Sequence, residues 1–385
     1  MIWYNTDMKP NNPFILTGYE GPKYFCDRIA ETRDLLRAIS NDSNVTLLSP
    51  RRYGKTGLIC NVFDKLAKKK ECETVYIDLF GTQDLAEFTR LLANSIIGKL
   101  DTPLEKAGGI ARRLIQNLRP TISYDDASGK PSLSFDVSAG HSEKTLAQIF
   151  EYIKERGRKI VIALDEFQQI CNYPEKGVEA TLRGYIQFSP ARFILAGSKQ
   201  HLMHEMFTSP KRPFYQSTYM MPLDVIPEEP YYKFADGFFA EKGHSVKRDI
   251  FHELYSRFDG ITWYIQAILW EFYASDEDIR DMAQLDAVVA KRVKSCEYDQ
   301  QRVMEILPGG ARRLLRAIAA ERKVKEPQSG AFVVRHGLRA ASSVKTSLKM
   351  LVEKELVEKE LVYPAPDGYV VYDRFLAEYL RKSAQ

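Results

Sequence analysis

Long apolar runs are missing from this chain: none approaches the roughly 20 residues that a membrane-spanning helix requires. The opening stretch Met1-Ile2-Trp3-Tyr4-Asn5-Thr6-Asp7 has neither the basic nor the apolar region of a secretory signal, so a cytoplasmic protein without membrane association is expected. Cysteine is sparse. The five thiols (Cys26, Cys60, Cys72, Cys171, Cys296) are odd in number and contain no C-x-x-C pair, which argues against a disulfide framework and a structural zinc. The 18 prolines and 22 glycines are scattered as punctuation and form no low-complexity tract. Charge is also nearly balanced, at +4, too little by itself to argue for a nucleic-acid partner. What remains is an ordered globular chain of 385 residues with 44% hydrophobic content, long enough for two or three domains.

The most informative stretch is Ser49-Pro50-Arg51-Arg52-Tyr53-Gly54-Lys55-Thr56-Gly57. It follows the apolar run Val45 to Leu48 and precedes apolar residues at helical spacing from Leu58 to Leu66. Strand, loop and helix in this order match the phosphate-binding pattern G-x-x-x-x-G-K-[ST], with Ser49 replacing the first glycine. Backbone N–H groups of such a loop and the positive end of its helix cradle phosphate. Gly54 lets the backbone approach closely, Lys55 reaches the β and γ phosphates, and the Thr56 hydroxyl is a ligand for Mg²⁺.

About 110 residues later, Ile160-Val161-Ile162-Ala163-Leu164 runs into Asp165-Glu166. This is a doubly buried strand carrying two carboxylates to its C-terminal edge, where open α/β sheets bind ligands. Asp165 is expected to hold the metal and Glu166 to orient or deprotonate a water. The next strand ends in Ala196-Gly197-Ser198, where Ser198 either reports on the γ phosphate or caps the following helix. Arg212, in a proline-rigid loop, is read as either a γ-phosphate sensor or finger, or a solvated loop arginine.

The wider pattern is α/β: a P-loop NTPase parallel-sheet core of αβα type, then a helical lid and a winged-helix domain. Expected boundaries are an N-terminal extended arm at 1–24, the ATPase core at 25–222 with a β-hairpin insert at about 119–140, the lid at 223–297 and the winged helix at 298–385. A further helix is read at Arg112 to Leu118. Aromatics at helical spacing in the lid, among them Tyr231, Phe238, Phe239, Trp263, Tyr264 and Trp270, are read as core packing. Between Ala311 and Met350 ten Lys or Arg face two Glu. Such local basicity, with Arg335, His336, Arg339 and Lys345 around the recognition helix, suits duplex DNA, although a winged helix also serves as a clamp or protein dock.

Asn12-Pro13-Phe14, Phe25-Cys26-Asp27-Arg28 with Glu31, the loop Ser49 to Thr56, Leu164-Asp165-Glu166, Ala196-Gly197-Ser198 and the closing Tyr369 to Phe375 together resemble the archaeal-type ATPases. These are a branch of the P-loop STAND and AAA-like superfamily, and the resemblance runs in order through most of the chain. It implies ATP or ADP with Mg²⁺ as ligands, and places Phe25 to Arg28 along the adenine pocket. The leading expectation is a slow Mg-dependent ATPase acting as a nucleotide-controlled switch. The alternatives are an ATP-regulated DNA-binding protein and an ADP-holding scaffold for a protein partner. Whether ATP drives oligomerisation, and whether Arg212 acts in its own chain or on a neighbour, stays open.

Overall fold

The computed structural model describes residues 10–70, 72–100, 119–124, 131–137, 139–353, 361–365 and 367–382. The helix expected at Arg112 to Leu118 lies outside them. By internal contacts the chain divides into two units: Met1–Phe234 with Ile261–Trp263, and Ala235–Gly260 with Tyr264–Gln385.

The first unit is built on a five-stranded sheet. Its strands are β1 (Val45–Leu48), β2 (Glu73–Asp78), β5 (Ile160–Asp165), β6 (Arg192–Gly197) and β7 (Tyr219–Pro222), in the order β2-β5-β6-β1-β7. Every pairing is parallel. Parallel strands need covered faces, and the sequence supplies both. Along β5, Ile160, Ile162 and Leu164 join one apolar core, while Val161 and Ala163 join another on the opposite face. The first core is closed by α3 (Leu85–Leu100), α4 (Ser142–Glu155), α5 (Val178–Phe188) and α6 (Gln200–Thr208), and the second by α1 (Ile29–Ser40) and α2 (Lys55–Lys69). The αβα core is therefore present.

Strand β7 escapes a reading of the sequence because only Met221 of its four residues is buried, leaving no apolar run to find. The hairpin is present, as β3 (Arg119–Tyr124) paired antiparallel with β4 (Pro131–Asp136) in a separate two-stranded sheet. Among described residues 10–24 the one regular element is a 3-10 turn, Pro22–Tyr24, yet the segment is docked. Phe14 is wholly buried and meets Phe234 edge-on at 6.3 Å between ring centroids, and Tyr19 Oη donates to Asn61.

The second unit holds α8 (Arg248–Arg257), α10 (Met282–Ser295) and α11 (Glu297–Ile306), followed by α12 (Gly309–Ala320), α13 (Gly330–Arg335) and α14 (Ala341–Glu353). Strands β8 (Val362–Ala365) and β9 (Gly368–Val371) form the wing, and α15 (Arg374–Lys382) closes the chain. One apolar core, including Leu315, Ile318, Phe332, Leu348, Val362 and Leu380, joins these last six elements. Asp373 starts α15 by accepting from the backbone of Phe375 and Leu376. Tyr231, Phe238, Phe239 and Tyr264 are core residues, as their spacing predicts, but Trp270 is 36% exposed. Among the described residues no helix is long and apolar enough to cross a membrane.

Candidate active site

Sheet order makes the site. Strand β6 lies between β1 and β5, so the chain positions following these three strands meet at one C-terminal edge. Leu48 pairs with Gly197 and Leu164 with Leu195, while Asp78 of β2 lies level with Asp165.

After Leu48 the loop turns into α2 at Gly54, whose φ of 90° and ψ of 20° suit glycine. No side chain caps this helix and no acid occupies its first turn, so its N-terminal N–H groups present a positive end suited to an anion. Ser49 is fully buried and is not among the residues with positive φ, which is why the pattern's first glycine is dispensable here. The loop's carbonyls are held from behind. The Tyr53 carbonyl accepts from Arg28 Nη2 at 3.0 Å and from Thr262 Oγ1 at 3.4 Å, and the Arg52 carbonyl from the backbone N–H of Trp263 at 3.1 Å. The Arg52 guanidinium also lies 4.4 Å from the Trp263 ring centroid, so this tryptophan supports the loop, where its spacing suggested core packing.

Arg28 is 2% exposed and also pairs with Glu31 at 2.8 Å, so its guanidinium serves the back of the loop. Phe25 lies against the start of α2: a Cβ on Gly57 would stand 3.3 Å from its ring.

Lys55 Nζ stands 3.1 Å from Asp165 Oδ1 and 3.8 Å from Glu166 Oε1, with all three side chains largely buried. Asp165 Oδ2 accepts from Thr56 Oγ1 at 2.9 Å and from Tyr76 Oη at 2.7 Å. Burial alone would raise the Asp165 carboxyl; the Lys55 charge and the two hydroxyls outweigh it and hold the group below its ordinary range. Tyr76 moves the opposite way, pushed up by burial and by the Asp165 charge. Asp78 is also raised, by burial first and then by the charges of Asp165 and Glu166.

Glu166 turns off the strand with φ 52°, in the left-handed region. Its Oε2 accepts from Ser198 Oγ at 2.6 Å and from Gln168 Nε2 at 2.5 Å. Arg51 Nε in turn donates to Ser198 Oγ at 3.3 Å. Ser198 does not cap α6, whose N-cap is Lys199 and which receives no side-chain cap; its hydroxyl is engaged with Glu166 instead.

Arg212 is not brought to this edge by its contacts. It pairs with Glu179 at 2.9 Å and Glu205 at 3.6 Å, and its Nη2 lies 3.2 Å from Cys171 Sγ. Two neighbouring carboxylates supply the physical reason, since they already neutralise the guanidinium. Sequence reasoning missed Tyr76, Gln168 and Trp263. Tyr76 and Trp263 reach the site across long separations of sequence and leave no local signal. Gln168, two residues beyond Glu166, had a signal in its adjacency.

The family described as an ATPase domain predominantly from Archaea matches residues 25–268, and a probable winged helix domain matches residues 298–382. Among solved structures, a Walker-type ATPase of Pyrococcus abyssi is similar with TM-score 0.64 at 18% identity, over 96% of this chain and 99% of that one. The ORC1 protein of Aeropyrum pernix in complex with DNA gives TM-score 0.51 at 14% identity, over 94% of each chain. The ORC2 protein of the same organism, as ADPNP–ADP complexes, gives 0.50 at 16%, over 97% of this chain and 98% of that one. These likenesses are of fold. Comparison with curated proteins finds no match. A P-loop at one end of a parallel sheet, a neighbouring strand ending in paired carboxylates and a family match over most of the chain lead to one statement: the protein belongs to the ATPase family found predominantly in Archaea.

Proposed function

We propose that this chain is a Mg²⁺-dependent ATP hydrolase of slow turnover, working as a nucleotide-controlled switch. The observation that carries the reading is the meeting of Lys55 and Thr56 with Asp165, at 3.1 and 2.9 Å, at the uncapped start of α2. ATP phosphates fit that helix start, with Lys55 against the β and γ groups.

The donors also fit Mg²⁺. Thr56 Oγ1 and Asp165 Oδ2 are a hard oxygen pair, and one ammonium against Asp165 and Glu166 leaves negative charge for a cation. Among the described residues no group of three or more His, Cys, Asp or Glu gathers as a metal cage. Mg²⁺ seldom uses one, since it keeps waters and shares phosphate oxygens. When bound, the ion supplies charge neutralisation at the transferring phosphoryl group. Glu166 then directs the water, with Ser198 linking it to Arg51 of the loop. Arg212 can serve as a finger only if it exchanges Glu179 and Glu205 for phosphate.

The test is phosphate release and retained nucleotide for wild type, Lys55→Ala and Glu166→Gln. Turnover in wild type and trapped ATP in Glu166→Gln support the reading; ADP held without turnover supports the scaffold alternative and sinks the hydrolase.

A second reading, ATP-controlled DNA binding, is favoured by one observation. On α14 and the turn before it, Arg339 and Lys345 are exposed, whereas Arg335 and His336 are both bound to Glu321 at 2.7 Å. The ORC1 relative was solved with DNA, which makes a duplex the appropriate probe. Absence of duplex binding at low salt removes this reading.

A further inference from the structure

We propose that Gln168 is the positioning residue that holds the Glu166 carboxylate in its working direction, with the side-chain-free position at Gly197 leaving room for it. The proposal rests on the hydrolase reading above.

Glu166 occupies a backbone region that non-glycine residues hold only with support from their surroundings. Its side chain is fixed by two donors on the same oxygen, Gln168 Nε2 and Ser198 Oγ, at 2.5 and 2.6 Å from Oε2. Oε1 faces Lys55 Nζ at 3.8 Å, beyond hydrogen-bond reach, so it is the oxygen left to direct a water.

Gln168 is 2% exposed, in the 3-10 segment Phe167–Asn172, and its own Oε1 is buried without a hydrogen-bond partner. Turning the amide over would set that oxygen against the carboxylate. The orphan oxygen is thus the cost of presenting the N–H to Glu166. The same oxygen packs on β6: a Cβ on Gly197 would lie 2.4 Å from it and 2.5 Å from Met203 Cγ. An unmet buried acceptor and a side-chain-free strand position are both unfavourable for folding alone. The direction of Glu166 explains the unmet acceptor, and the bare strand position makes room for Gln168 beside Met203.

The test combines turnover with binding of a fluorescent ADP analogue. Gln168→Leu keeps the volume and removes the donor; it should lower turnover about 10- to 100-fold, as small misplacements of a reacting group do, while ADP-analogue affinity stays within about twofold. In a Glu166→Gln background the same change should add nothing, because its effect passes through Glu166. Gln168→Asn, which keeps the amide but is one methylene shorter, should lower turnover in the same non-additive way and answers if the leucine variant does not fold. Wild-type turnover in Gln168→Leu, equal losses in both backgrounds, or a parallel loss of ADP affinity overturns the proposal. A wild type without any turnover defeats the hydrolase reading separately. In that case a crystal structure of Gln168→Leu decides: a Glu166 carboxylate displaced from Ser198 supports the positioning role, and one left in place overturns it.

Discussion

The two units differ in where their charges gather. In the sheet unit Arg28, Lys55 and Asp165 are buried, each is paired, and the pairs gather behind and beneath one loop. In the winged-helix unit the basic residues of the recognition helix stand exposed, and the buried pair Arg257 with Glu378 joins α8 to α15 at 2.6 Å. Desolvating a charge is costly unless a partner restores the interaction, so several buried charges converging on a strand edge need an explanation beyond folding. Exposed lysines and arginines cost little, and the same arrangement arises on any solvated surface. The contrast explains why a chemical role can be argued for the first unit from geometry, while DNA contact by the second depends on a binding assay.

Four measurements break or sharpen that contrast. The largest effect is expected for Lys55→Ala, which strands Asp165 without its cation. Loss of one partner of a buried pair costs about 3–5 kcal/mol, and nucleotide affinity should fall by at least about 100-fold. A fluorescence titration showing near-normal affinity would place the nucleotide elsewhere. Next, Glu166→Gln should reduce phosphate release by about 10²- to 10⁴-fold with ATP affinity preserved, the size usual for removal of a general base. Equal turnover in this variant and wild type would remove Glu166 from the chemistry.

In the other unit, Arg339→Glu with Lys345→Glu should weaken duplex binding and lower the log–log salt slope by about 1 per contact removed, leaving nucleotide affinity untouched. Salt-independent binding, or a change in nucleotide affinity, would erase the distinction between the units. The smallest effect concerns pH. Since the folded protein holds Asp165 below the ordinary carboxylate value of about 3.9, its contribution to stability is complete above that value and is lost as pH falls through the lowered one. Thermal unfolding followed by circular dichroism should therefore show a steeper acid loss in wild type than in Asp165→Asn, and parallel curves would count against the buried pair.

Much of this architecture was legible in the residues because it is written locally. The apolar run of β5 and the change to helical spacing after Lys55 are decided within about ten positions, where sterics and burial act on neighbours. The carboxylates were found the same way, as polar residues ending a doubly buried strand. What stayed hidden was set by pairing across the sheet. Tyr76 reaches Asp165 because β2 runs beside β5, and nothing near position 76 announces that. The contact of the Arg28 guanidinium with the Tyr53 carbonyl was hidden too, since it goes with a left-handed backbone at Asp27 and Arg28 that no spacing encodes. Arg212 had a suitable loop, but its neighbours Glu179 and Glu205 come from two different helices.

The interposition of β6 between β1 and β5 also sets a timetable. During synthesis Lys55 leaves the ribosome well before Ser198, by roughly 7 to 30 s at ordinary elongation rates, and until β6 inserts the loop and the carboxylate strand are not neighbours. Nascent chains halted short of residue 192 therefore cannot assemble the cluster of Lys55, Asp165, Glu166 and Ser198, however well their helices form. On the proposed reading, then, ATP finds its full set of contacts only at a late stage in the making of each molecule.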